Sequence, residues 1–149
     1  MDLKQLALTN IDKAHDRYRK DVDSLTHEQL ISSYGGARSA YDFTYEVANV
    51  NNRVAQRLRG QDPGPAPDGW TVAPEDFKTK ETCLAGLADS VATVRGAFEE
   101  CPDFTEERDF PLGKMTIFEL ANFMAIHMTY HDGQLNFIQA MAGDGEVHW

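Results

Sequence analysis

The chain has 149 residues, with 14 Lys and Arg against 24 Asp and Glu, a net charge of −10, and 42% of its residues are hydrophobic. That length suits one domain, 1–149, able to bury its own core, and the acidic balance excludes nonspecific binding to nucleic acid or an anionic membrane. No apolar run approaches the ~20 residues of a bilayer span. The polar start lacks a hydrophobic signal core, and the two cysteines, Cys83 and Cys101, form no disulfide framework. The expectation is a soluble cytoplasmic protein.

Four helical stretches are expected. The first runs from about Leu3 to Val22, where Ala7, Ile11, Ala14, Tyr18 and Val22 trace an apolar stripe. The acidic joint "DSLTHEQL" is read as a further helical turn, and the glycine pair of "SSYGGARS" breaks the chain. The second long helix covers about Ser39 to Arg59, with Phe43, Val47, Val50, Val54 and Leu58 inward and Gly60 where a C-terminal cap is wanted.

The stretch "QDPGPAPDGWTVAPEDF", residues 61–77, carries four prolines, which forbid a regular helix and make it a long ordered loop or lid. The third long helix starts after Thr79 as N-cap and ends near Glu100, before Pro102. A second irregular segment, with no convincing strand, leads to "TIFE", a capping box of Thr116 with Glu119. The last helix continues to about Ala142, roughly 40 Å at 1.5 Å per residue. Gly143 stops it, leaving 143–149 as a tail. The expected fold is all-α, a four-helix bundle with two long crossing connections.

The last helix contains "HMTYHDGQL", with His127 and His131 four residues apart on one face. On a wheel at about 100° per residue, Leu120, Met124, Leu135, Ile138 and Ala142 share a side. Both histidines fall in its centre, while Asn122, Asp132 and Gly133 lie away from it. Two neutral imidazoles buried together each need a donor and an acceptor partner. A divalent metal resolves this by taking one lone pair from each ring, and His-x-x-x-His on a helix is a common metal clip.

A third ligand should come from a facing helix. Glu46 lies about one step from the inward line of Phe43, Val47 and Val50, where a carboxylate is costly unless a cation neutralises it. Its alternative is a carboxylate that reaches solvent or pairs with Arg53. His15, beside the stripe of the first helix, is the rival third ligand. His27 and His148 read as solvated, and neither cysteine has a catalytic neighbourhood.

A bundle whose last helix carries His-x-x-x-His-x-Gly-Gln resembles the DinB-like family of metal-binding helical proteins. "HMTYHDGQ" matches that signature, "GKMTIFELANFMAIH" resembles the usual entry to the helix, and residues 39–60 resemble the family's second helix with its Leu-Arg-Gly ending. The resemblance implies a DinB-like bundle and a metal site formed by the histidine pair with a second-helix histidine. Here that position is Glu46, so the implied site is His127, His131 and Glu46. Such a set leaves coordination positions open and accepts Zn, Ni, Fe or Mn.

Some relatives are bacterial transferases or isomerases dependent on a low-molecular-weight thiol such as bacillithiol or mycothiol. The resemblance therefore implies a thiol and a small electrophile as reactants of an S-transferase or hydrolase, and leaves a homodimer open. The alternative is a non-catalytic bundle, metal-stapled or metal-free, acting as a binding or stress-response protein. Tyr130, Gln134 and Asn49 are candidates to orient ligands or line a pocket, and Trp70 and Trp149 could line one under the proline-rich loop. Arg38, Arg53, Arg57 and Arg59 could form a patch for the carboxylates of a thiol.

Overall fold

The computed structural model describes residues 2–148. It contains five helices: α1 (Leu3–Ser24), α2 (His27–Ile31), α3 (Ala40–Leu58), α4 (Lys80–Glu99) and α5 (Ile117–Met141). The expected start and stop signals operate. Thr79 caps α4, Thr116 and Glu119 close a reciprocal capping box on α5, and Gly60 follows α3 at φ +74°. Each such cap satisfies backbone groups that a helix end leaves orphaned. The acidic joint does form a short helix, α2, boxed by Thr26 and Gln29.

The four long helices form a ring. Helix α1 packs between α5 and α4, and α3 packs between the same two, so α1 and α3 face each other diagonally. The segment containing α2 crosses one diagonal, and residues 100–116 cross the other. The proline-rich loop joins the neighbours α3 and α4. One continuous apolar cluster fills the ring, with Ile11, Tyr18, Tyr41, Leu87, Phe98, Leu120, Met124 and Leu135 among its best-buried members. Each such side chain contributes about 1.5–3 kcal/mol relative to exposure.

Residues 100–116 hold the main departure from expectation. A small antiparallel hairpin, β1 (Glu107–Phe110) and β2 (Gly113–Thr116), pairs Phe110 with Gly113 across Pro111 and Leu112. Strands of four residues, the first opening on three consecutive charged residues, carry too little apolar alternation to stand out in a sequence. Gly113 makes the turn at φ +114°, a conformation that side chains resist. Arg108 reaches from the hairpin to the Leu58 carbonyl at the end of α3, at 3.2 Å.

The proline-rich loop is tied to α3 at two points. Ala73 N–H donates to the buried carboxylate of Asp42 at 2.8 Å, and Arg53 donates to the carbonyls of Pro63 and Gly64 at 3.1 and 2.7 Å. A short 3₁₀ turn, Glu75–Phe77, then places Phe77 edge-on to Tyr45 and against Gly86. A Cβ at Gly86 would lie 2.6 Å from the Phe77 ring, so the close packing of loop on α4 needs glycine there. Among the described residues, no helix is long and apolar enough to cross a membrane.

Candidate metal centre

Helix α5 lies between α1 and α3 and is apolar on most sides. Its inward face includes His131, only 1% exposed, with His127 a turn earlier at the edge of the core. Opposite them on α3 stands Glu46, whose side chain is 22% exposed. His131 Nε2 is 3.2 Å from His127 Nε2, and Glu46 Oε1 is 3.4 Å from the former and 3.7 Å from the latter. Three ligand atoms thus converge from two helices, and among the described residues this is the group of histidine, cysteine and carboxylate side chains able to hold a metal ion. Metal–ligand bonds of about 2.0–2.2 Å in a tetrahedral or facial set put neighbouring ligand atoms about 3.0–3.5 Å apart. Two of the three observed spacings fall in that range, and the third, His127 to Glu46 at 3.7 Å, lies slightly beyond it.

Groups around the three residues hold them in place. The other carboxylate oxygen of Glu46, Oε2, accepts from Arg38, so Oε1 is left facing the histidines. Arg38 is itself packed between the rings of Phe43 and Trp70, 5.2 and 4.6 Å from their centroids. Gln134 Oε1 lies 2.6 Å from His131 Nδ1, which must therefore carry the proton, leaving Nε2 as a lone pair. Phe43 stacks on His131, and Phe123 on His127. His127 Nδ1 is buried with no partner among the described residues.

The electrostatics favour neutral rings and an ionised acid. Burial, then the neighbouring His131, pushes His127 down to about 4, and burial likewise lowers His131. For Glu46 burial pulls upward. The hydrogen bond from Arg38 and the positive charges around it outweigh that pull and hold the carboxyl below its usual range. At neutral pH the site is two neutral imidazoles and one carboxylate, the charge state a divalent ion requires.

The structure places the remaining candidates as follows. His15, the rival ligand, sits on α1 outside the converging group. Asn49 is half-buried on α3 with no hydrogen bond to the three residues. Tyr130 contacts His131 ring to ring, with centroids 5.0 Å apart, although it is largely exposed. His27 is exposed as expected, but its Nδ1 is 2.8 Å from the Tyr41 hydroxyl, and His148 pairs with Asp144. The partner of Glu46 is Arg38 and not Arg53, which holds the loop. The arginines do not form one patch, because Arg59 is paired with Glu100, the residue that caps the end of α4. Trp70 is 77% exposed and covers Arg38. Trp149 lies outside the described residues.

Asp132, expected to face away from the core, is 6% exposed and packs toward Asp21 of α1. Ala142 is exposed and not part of the inward side. Burial foremost, then the hydrogen bond and charge of Asp21, pushes Asp132 up to about 7. Asn136 donates to Asp21 Oδ2 at 2.5 Å.

Two depressions flank the centre. One, of about 240 Å³, runs between α3 and α5 under the hairpin tip and has His127 in its wall. The other, of about 260 Å³, is bordered by Arg38, Trp70, Tyr130 and Gln134. The first is overwhelmingly apolar and the second is mixed.

Among solved structures, the fold is similar to that of a conserved protein from Enterococcus faecalis. The two are 16% identical over 93% of this chain and 96% of that one, with a TM-score of 0.72, a likeness of fold alone. No curated protein matches the chain. The family model of the DinB superfamily matches residues 10–135, a span that includes Arg38, Glu46, His127, His131 and Gln134.

Proposed function

The chain belongs to the DinB superfamily, and from that premise we propose that it is a divalent-metal-dependent enzyme of the thiol S-transferase or hydrolase type. The observation that carries this reading is the convergence of His127 Nε2, His131 Nε2 and Glu46 Oε1 on one point, with Glu46 Oε2 drawn aside by Arg38. Three protein ligands leave further positions for a reactant, which distinguishes a catalytic site from a closed structural one. A divalent ion held there lowers the pKa of a thiol or water that reaches it and supplies a nucleophile at neutral pH.

The chain's own groups do the rest. Gln134 fixes the tautomer of His131, Arg38 fixes the rotamer of Glu46, and Phe43 and Phe123 exclude water from the ring faces. In this reading a low-molecular-weight thiol enters by the mixed depression beside Arg38 and Tyr130, and the electrophile takes the apolar one. Zn, Ni, Fe and Mn all suit the donor set. A cytoplasmic setting, where such thiols accumulate, accords with the two free buried cysteines.

A second reading is favoured by one observation. The Arg38 guanidinium already neutralises Glu46, so the bundle could be complete without an ion and serve as a binding protein. Elemental analysis of untagged protein, purified without chelator, separates the two. About one transition-metal ion per chain, lost in His131→Ala, supports the enzyme and directs thiol-transfer assays with that ion. No uptake after adding back Zn, Ni, Mn and Fe establishes the second reading.

A further inference from the structure

The apolar cavity beside His127 has a built polarity. Its α3 wall is Val50, Arg53, Val54 and Arg57, one face of the helix, and its α5 wall is Leu120, Phe123 and His127. The hairpin tip, Phe110 to Leu112, roofs it. Glu46 of α3 stands level with His127 and His131 of α5, so the α3 wall begins beside the candidate metal centre. It ends at Arg57, eleven residues on from Glu46, or roughly 16 Å away along the helix. Arg108, bonded to the Leu58 carbonyl, anchors the hairpin over that same distal end.

The two arginines of the wall differ. Arg53 is occupied by the carbonyls of Pro63 and Gly64. Arg57 is half-buried, and its guanidinium has no hydrogen bond or ion pair among the described residues. An unpaired guanidinium at the edge of an apolar cavity is where a planar acid is best received, because bidentate bonding there is charge-assisted and partly desolvated. Leu112, 65% exposed at the hairpin tip, is an apolar side chain that a ligand would cover.

We propose that this cavity binds an apolar monoanion, with its hydrocarbon or aryl body against Phe110, Leu120 and Phe123 and its acid group on Arg57. The end of the molecule remote from the acid then lies beside His127. Resting on the reading of the site as a metal-dependent enzyme, this assigns the electrophilic substrate to the class of medium-sized apolar carboxylates or their equivalents. The cavity has room for roughly ten non-hydrogen atoms in addition to the acid group. Anions that are polar throughout would leave the apolar walls uncovered and be discriminated against.

The test uses the full chain freed of metal by a chelator, so that it does not depend on the metal reading, and metal uptake is measured separately. Octanoate and its uncharged counterpart 1-octanol are titrated calorimetrically into wild type, Arg57→Gln and Val50→Phe. Octanoate should bind at one site in wild type, at least tenfold more weakly in Arg57→Gln, and not measurably in Val50→Phe, which fills the cavity. Binding of 1-octanol should be unchanged by Arg57→Gln and lost in Val50→Phe. Three results overturn the proposal: no octanoate binding to wild type at millimolar concentration, equal binding by wild type and Arg57→Gln, or loss of both ligands together in Arg57→Gln. Octanoate binding that appears only after metal is restored and ignores Arg57→Gln would place the acid on the ion and overturn it too. Failure of metal uptake with intact octanoate binding would instead refute the enzyme reading and leave the cavity assignment standing.

Discussion

Adjacent residues of α5 meet two different solutions to the burial of polar groups. His131 faces α3, where it joins His127 and Glu46; Asp132 faces α1, where it joins Asp21 and Asn136. Both are almost fully buried. On the α3 side three possible ligand atoms converge, and a guanidinium holds the acid ionised. On the α1 side two carboxyls approach one another, and the charge of Arg17 offsets only part of their mutual effect. There, pairing is best met by a proton held between them, as the raised pKa of Asp132 reflects. The first arrangement is able to take up a metal ion, whereas a proton suits the second. Burial of charge alone therefore does not single out a candidate metal site; the convergence of ligand atoms beside a guanidinium does.

The largest effect should follow His131→Ala. It removes the most buried of the three converging atoms and should cost at least ~100-fold in metal affinity, while circular dichroism shows the helices intact. Stoichiometric metal in that variant would end the distinction between the two clusters. Glu46→Gln keeps the shape but loses the charge and should weaken binding by roughly 10–100-fold. His15→Ala should leave metal affinity unchanged. A larger loss in His15→Ala than in Glu46→Gln would return His15 to the site.

The pH dependence sharpens the contrast further. Ligating histidines must be neutral, so protons compete with the metal only where the rings titrate in the metal-free fold. His127 titrates there near 4, and His131 is also lowered. Metal affinity should accordingly stay nearly level from pH 7 to about 5 and fall steeply toward pH 4. Competitive titration with a coloured chelator at successive pH values measures this. A fall centred near 6.5, the value of an unperturbed imidazole, would show the rings to be solvated.

The sequence carried the scaffold well because its boundaries rest on local chemistry. Thr79, Thr116 with Glu119, and Gly60 act through neighbours within four residues, and such signals are visible without a fold. The histidine pair was visible for the same reason, one helical turn apart. Glu46 emerged from its place on the edge of an apolar stripe, and the family resemblance pointed to the same position. The pairing of Arg38 with Glu46 could not emerge: Arg38 precedes α3 and folds back on Glu46 beneath Trp70, which lies far along the chain in the proline-rich loop. Asp132 was misplaced because α5 carries apolar side chains on most sides, including the exposed Ile126, Tyr130 and Phe137, so a wheel cannot resolve which face is inward.

That misplacement supplies the smallest effect and the sharpest check on the α1 side. The folded protein binds a proton at Asp132 more tightly than the unfolded chain, about 7 against 3.8. The stability this contributes is fully present below about pH 4 and lost as pH rises through 7. Asn at position 132 presents an N–H₂ donor to Asp21 at every pH, in place of the shared proton. In metal-free protein, Asp132→Asn should therefore match wild type near pH 4 and exceed it by about 1–2 kcal/mol at pH 8, a rise of roughly 2–8 °C in Tm. His127 pulls oppositely, since its lowered pKa makes stability fall as pH drops from 6.5 toward 4. That contribution is common to both proteins and cancels in their difference. Thermal melts of the pair at pH 4, 6 and 8 decide the matter. A variant destabilised equally at all three would mean that Asp132 is held ionised by some donor, and the two faces of α5 would then differ only in which cation they use.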